Sequence, residues 1–253
     1  MSKTAKLGFL FLVTTLAIAG VALIRPIPQS ENYHHFADGR TIWGIPNFFN
    51  VVSNLPFLAI GGVGLCIVRR AEKKMRPMYV TLFGGIILTG LGSAYYHWNP
   101  GDDTLVWDRI PMTLVFMSLL SATVSEVINQ RAGRLLLTPL LLIGLGSVIW
   151  WHFTQSQGNG DLRWYGLVQF YPLIVIPLLL WLFYEPSHKP AIHSLGWVVI
   201  WYVVAKVAEV MDGNIYRAIA ISGHTIKHLA AAVSTIFLVQ IFARKYPMRS
   251  KPY

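Results

Sequence analysis

Apolar residues fall in long unbroken runs, and polar residues collect in the short stretches between them. Eight runs approach or reach the roughly 17–25 residues that a helix needs to cross a bilayer: Leu7–Ile24, Phe48–Val68, Met78–Tyr96, Ile110–Val127, Leu135–Trp151, Leu167–Phe183, Leu195–Val210 and Ala218–Phe242. Each predicts a helix, because a lipid-facing backbone must satisfy its own hydrogen bonds. The connections are short, so the pattern predicts one all-α integral membrane bundle with no soluble domain. The exception is Arg25–Asn47, which contains ENYHHFADGR and is too long for a simple turn. No internal repeat or low-complexity segment interrupts the pattern.

Composition agrees with this reading. The 253-residue chain is 54% hydrophobic and only 13% charged, against about 25% charged in soluble domains. Nine Trp and eleven Tyr suit a protein whose amphipathic rings collect at membrane interfaces. The formal net charge of +10 raises nucleic acid as a partner. No basic patch is interleaved with aromatics as single-strand binding requires, so nucleic acid is not expected. Cys66 is the single cysteine, which excludes a disulfide framework.

The basic residues sit at the ends of the runs, where they report orientation. With the N-terminus inside, fourteen of the 21 Lys and Arg fall on the inner side, Arg249 and Lys251 among them. Five fall outside: Arg25, Arg40, Arg109, Arg163 and Arg217. Lys206 and Lys227 lie within spans. Both termini are therefore expected inside. Lys3 and Lys6 before the first run resemble a signal peptide. That run is long for one, and VALIRPIPQ lacks a small-x-small cleavage site, so an uncleaved anchor is expected. Cleavage would leave seven spans in the same orientation.

Ionisable residues inside a span are functional hypotheses by default, since desolvating them is costly unless they pair or ligate. In SGHTIKHLAAA, His224 and His228 are four apart, on one helix face and about 6 Å apart along the axis. LGSAYYHWNP ends the third span with Ser93 and His97 at the same spacing, and DRIPM opens the fourth with Asp108. His97, Asp108, His224 and His228 thus approach the outer half of the bundle from three helix ends. Three histidines suffice for zinc with one open position, and zinc brings water into its nucleophilic range near neutral pH. Asp108 can orient or deprotonate that water, and Ser93 can hydrogen-bond a developing oxyanion.

Simpler readings exist for each residue. A membrane histidine also serves as an interhelical hydrogen-bond partner, and Ser93 beside Gly92 and Ala94 can be a small packing residue. Haem is a rival cofactor, but histidines on adjacent turns do not take opposite faces of one macrocycle, and CxxCH is absent. Lys206 and Glu209 are expected to pair on one helix face. Lys227, about 60° from His224 on the helical wheel, is expected to turn away from a metal, towards Glu209 or a lipid phosphate. His34 and His35, with Glu31 and Asp38, form either a solvated loop or a second outer cation site. His152, His188 and His193 lie at span ends and are expected to carry no catalysis.

FFNVVSNLPF (48–57), SAYYH (93–97), DRIPM (108–112) and HTIKH (224–228) together resemble the alkaline ceramidase family, within the membrane hydrolases that include adiponectin-type receptors. The resemblance covers most of the chain from about residue 47. It implies a seven-helix bundle plus one extra N-terminal transmembrane helix. The division would be an anchor helix and outer loop over 1–46 and a hydrolase domain over 47–253. It implies zinc on His97, His224 and His228, with Ser93 and Asp108 at the reacting carbonyl and water. The implied reaction hydrolyses a ceramide-like N-acyl membrane lipid to a fatty acid and a sphingoid-like base.

Calcium is a further implication, through an acidic segment before the first core helix. Here Asn47 stands where that segment ends in Glu, leaving Glu31 and Asp38 as the nearby carboxylates. The SGHTIKHLAAA form resembles bacterial relatives, which would place the site on the periplasmic side of an inner membrane. The alternatives are a receptor or lipid-binding protein with structural zinc, and a transporter relaying ions through Lys206, Glu209 and Lys227. A transporter of that kind would show repeated halves with broken helices.

Overall fold

The computed structural model describes residues 1–247; Arg249 and Lys251 lie outside the described residues. Those residues are helical, with no strand among them: α1 (Lys3–Leu23), α2 (Phe48–Val52), α3 (Leu55–Val68), α4 (Arg76–Trp98), α5 (Asp102–Val127), α6 (Gln130–Ser156), α7 (Arg163–Leu182), α8 (Lys189–Val210), α9 (Asp212–Ile219) and α10 (Gly223–Lys245). Eight spans are long and apolar enough to cross a membrane, α2 and α3 together forming one of them. Hydroxyls inside the spans are satisfied locally. Thr14, Thr89, Ser118 and Thr123 each donate to the carbonyl four residues earlier, the usual solution for Ser and Thr in apolar helices.

Two boundaries differ from the sequence pattern in ways that shape the interior. The second span breaks at Ser53–Asn54. There the Asn54 side chain donates to the Asn50 carbonyl at 2.8 Å and the Ser53 hydroxyl to the same carbonyl at 3.1 Å. Side chains thus replace the interrupted backbone bonds, which a break at this depth requires. The last run does not begin at Ala218. Ala220 takes a left-handed conformation (φ 56°) that ends α9, and a new helix starts at Gly223. A third difference concerns Arg109. It lies inside α5, which starts at Asp102, and is buried rather than in an outer loop.

The core has two main apolar clusters. Met78, Leu82, Phe83 and Ile86 of α4 pack with Phe57 of α3 and Leu238 and Phe242 of α10. Leu120 and Val124 of α5 pack with Val175, Ile176 and Leu179 of α7. By contrast α7 and α8 barely touch, which leaves a gap between them. α1 stands outside this core and reaches it chiefly through α7. The Thr14 hydroxyl and the Tyr171 hydroxyl share a 2.6 Å hydrogen bond. Arg163 donates to the carbonyls of Ala22 and Ile24, a cation placed where helix-end carbonyls lack partners.

The 25–47 connection is folded down onto the bundle. Gln29 and Gln155 exchange hydrogen bonds, N–H to Oε1 at 3.0 Å and Nε2 to the carbonyl at 3.3 Å. Ala37 N–H donates to Asp212 at 2.9 Å. The buried Asp38 carboxylate accepts from Arg40 Nε at 2.8 Å and Nη2 at 2.6 Å, while Arg40 also donates to the Ala220 carbonyl at 2.8 Å. These hydrogen bonds from Arg40 hold the Asp38 carboxyl below the usual carboxylate range. A depressed native pKa stabilises the fold above the unfolded-state value, near pH 4, and the gain is lost as pH falls through the native value. Acidification from pH 6 to 3 is expected to loosen this connection, modestly because Arg40 is partly exposed. Hydrogen exchange over 36–47, corrected for intrinsic rates, reads this directly. In Asp38→Asn the loosening is expected at neutral pH already, with no further change in acid.

Candidate functional site

His224 owes its position to a helix start. Ser222 caps α10, its hydroxyl accepting from His224 N–H at 3.0 Å, the usual N-cap geometry. Asp212 reinforces the cap by accepting from the Ser222 hydroxyl at 2.5 Å and from His224 N–H at 3.1 Å. Gly223 leaves no room for a side chain, since a Cβ there would run into the Ala208 carbonyl of α8. One turn further along α10, His228 faces the same way. Thr225 ties this turn to α2 by donating to Asn50 Oδ1 at 2.8 Å.

His97 arrives from the end of α4. Its carbonyl, one of those a helix end leaves without a partner, accepts from Asn47 Nδ2 at 3.0 Å. A carboxylate at position 47 could not donate there, so the amide of Asn47 has a local role. Gly92 sets the approach of α5: a Cβ would strike the Trp107 carbonyl. That close passage puts Ser93 of α4 and Asp108 of α5 on the wall of one cavity.

The three histidines converge. One ring nitrogen from each of His97, His224 and His228 lies within 4.8 Å of the others, and all three residues are buried. His97 Nε2 and His228 Nε2 face each other at 3.1 Å. Since the Ser53 hydroxyl donates to Asn50, its oxygen accepts from His228 Nδ1 at 2.8 Å. That bond puts the proton on Nδ1 and leaves the Nε2 lone pair pointing at the other imidazoles, the arrangement that fixes a metal-ligating tautomer. Two neutral imidazoles at 3.1 Å can share an N–H···N hydrogen bond, and three whose nitrogens converge can hold one cation. The donor set and its geometry therefore fit zinc, which takes three imidazoles with one open position.

The surroundings divide into two sides. On the side of the 25–47 connection Phe36 covers the site, its ring 4.6 Å from that of His97 and 4.7 Å from that of His224. On the cavity side His228, Ser93 and Asp108 line a space of about 820 Å³, within the range of ligand pockets. Its remaining walls are largely apolar and come from α1, α5, α7, α8 and α10. A second groove lies at the α7–α8 gap, and Lys206 lines both spaces.

Glu209 is the hub of an adjoining polar cluster, accepting from Lys206 at 2.7 Å, Lys227 at 2.6 Å and the Tyr33 hydroxyl at 3.2 Å. Burial pushes the Tyr33 hydroxyl well above its ordinary pKa, so it remains a donor. The Lys206–Glu209 pair agrees with the sequence reading. The expectation that Lys227 turns away needs correction: its ammonium reaches Glu209 but also stands 3.2 Å from His224 Nε2. Glu209, one turn below the start of α9, holds it there.

The structure thus brings Ser93, His97, Asp108, His224 and His228 together, and leaves the other histidines apart. His34 contacts the Tyr96 hydroxyl at 2.9 Å and Asp102 at 3.1 Å. His152 lies near Asp103, His188 belongs to a short turn and His193 packs against Trp197. Asp38 is committed to Arg40, and the triad is the metal-type cluster among the described residues. Sequence reasoning missed Ser53, Asp212, Tyr33 and Phe36. The polar interruption in FFNVVSN was the one available signal for Ser53.

An eight-span helical bundle with a buried three-histidine cluster beside a largely apolar cavity defines a class of multi-pass membrane protein whose triad could hold a metal. Residues 40–245 match the family model described as Ceramidase, and the chain belongs to that family. No curated protein gives a significant match. Membership and the buried triad are together consistent with a zinc-dependent ceramidase.

Proposed function

We propose that the protein is a zinc-dependent membrane amidohydrolase that cleaves a ceramide-like N-acyl lipid into a fatty acid and a sphingoid-like base. The observation that carries this reading is that His228, Ser93 and Asp108 line one cavity whose walls are mostly apolar. His97, His224 and His228 would hold the ion. Zinc bound there supplies Lewis-acid polarisation of the acyl carbonyl and activation of water.

The chain's own groups do the rest. The apolar walls take the acyl chain and aim its carbonyl at Ser93, whose hydroxyl donates to the carbonyl oxygen as charge develops. Asp108 takes a proton from the attacking water and returns it to the leaving nitrogen. Phe36 keeps bulk water away from His97 and His224, so lipid enters sideways through the α7–α8 gap. Residues 1–46 act as anchor helix and outer loop, and 47–253 as the hydrolase domain. Both termini lie inside and the site faces outwards. The SGHTIKHLAAA form supports a bacterial-type member, with the site facing the periplasm.

The test is incubation of purified protein with a panel of N-acyl lipids, detecting free fatty acid with and without a chelator. Chelator-sensitive release is expected. Metal-loaded protein that releases nothing from any member of the panel would leave only a lipid-binding or receptor role.

The anchor helix also shapes the substrate site. Leu16, Ala17, Gly20 and Val21 of α1 line the cavity, and a Cβ at Gly20 meets only open space. Gly20→Phe should therefore fill the cavity without unfolding the bundle. The ratio of kcat/KM for long against short acyl chains is expected to fall about tenfold or more, the scale at which pockets discriminate by length. An unchanged chain-length profile would place the acyl chain elsewhere.

A further inference from the structure

The cavity holds more positive charge than its carboxylates answer. Lys206 and Lys227 share Glu209, and both line the cavity. Arg109 lines it as well, next in sequence to Asp108, and is only 5% exposed. Among the described residues no carboxylate forms an ion pair with Arg109. Its side chain donates to Gln29 Oε1 through Nη2, while Nη1 is buried with no partner at all.

Three aromatic rings surround the guanidinium. Trp151, Tyr165 and Tyr33 have ring centres 4.0, 4.8 and 5.8 Å from its central carbon. Such rings attract the cation through their faces. They do not accept the in-plane N–H groups, of which guanidinium has five in a fork that matches an oxyanion. A buried cation with unused donors is costly, and a neutral ceramide brings nothing to offset that.

We propose that Arg109 forms an anion-binding subsite, and that the physiological substrate is a ceramide-like N-acyl lipid whose sphingoid-like portion carries an acidic group. The subsite takes a carboxylate, sulfonate or phosphate through the guanidinium edge. The excess positive charge of Lys206, Lys227 and Arg109 over Glu209 and Asp108 favours the same class. This rests on the hydrolase reading for the chemistry, but the binding preference stands on Arg109 alone.

The test compares an N-oleoyl amino acid with its primary carboxamide, equal in chain and nearly equal in size, using the full-length protein in neutral micelles. Two quantities are read: kcat/KM, and the rise in unfolding temperature on binding. The acid is expected to be cleaved at least about tenfold faster than the carboxamide, matching a charge-assisted contact, and to stabilise the protein more. Arg109→Gln should bring both differences close to nothing, and Arg109→Lys should keep part of them. Equal rates and equal stabilisation for acid and carboxamide in the unaltered protein overturn the subsite while leaving the hydrolase. Arg109-dependent stabilisation by the acid with no hydrolysis of either lipid keeps the subsite and overturns the acidic N-acyl lipid as substrate, the hydrolase itself being judged by the lipid panel. If phosphatidylglycerol alone stabilises in an Arg109-dependent way, the anion is a bilayer lipid and the substrate assignment falls.

Discussion

Alanine at any one of His97, His224 or His228 is expected to abolish both metal binding and lipid hydrolysis. Three imidazoles are the minimum set for zinc that keeps a position open, and nothing nearby can replace a lost one. Asp108 is not among the clustered ligand atoms, Glu209 is engaged by two lysines, and Asp212 is spent on the α10 cap and the 25–47 connection. Hydrolysis should fall by more than about 10³-fold, as expected when the group that stabilises transition-state charge is removed. Metal content should fall from one ion per chain to near zero. The fold should survive, since the imidazoles are held between helices that pack independently of them through the α3–α4–α10 core. Elemental analysis together with thermal unfolding of the same samples separates loss of metal from loss of structure. A variant that stays folded, loses its metal and still hydrolyses lipid would sink the metal assignment.

Those three histidines were legible in the sequence for a physical reason. An ionisable group in an apolar run is so costly that few purposes account for it, and i, i+4 spacing fixes a shared face without further information. Asp108 and Ser93 were legible only because they sit at matching depth. The closeness of their encounter depends on Gly92, whose role emerges only when α5 is seen passing over it. What could not be read belongs to irregular backbone. The 25–47 connection has no period to betray its fold, so nothing marked Phe36 as the cover of the site or Tyr33 as a partner of Glu209.

Arg109 shows the same limit from the other direction. Hydropathy begins the fourth span at Ile110, yet the helix begins two turns earlier at Asp102. Polar first turns are helical because helix starts tolerate acidic and capping residues, and a hydropathy window does not register them. An arginine counted as an outer-loop charge therefore proves to be a buried wall of the cavity. Lys227 meets Glu209 as expected, but the packing of α8 against α10 holds that pair beside His224, which no spacing along one helix reveals.

Asp108→Asn is expected to lower hydrolysis by about 10²–10⁴-fold, the range for loss of a positioned general base, while leaving metal content unchanged. The substitution is nearly isosteric, and the amide still offers Ser93 both a donor and an acceptor, so the packing of α4 on α5 at Gly92 has no reason to change. What disappears is the capacity to take a proton from water and hand it to the leaving nitrogen. That loss should appear mainly in kcat, because Asp108 contributes little to holding an acyl chain that rests on apolar walls. The contrast with the histidine variants is the informative part. They should lose metal and activity together, whereas Asp108→Asn should lose activity alone, with unchanged thermal unfolding and one zinc per chain. If Asp108→Asn instead hydrolyses lipid at nearly the unaltered rate, the proton acceptor lies elsewhere in the cavity. If it loses the metal as well, Asp108 belongs to the ligand set and not to the proton path.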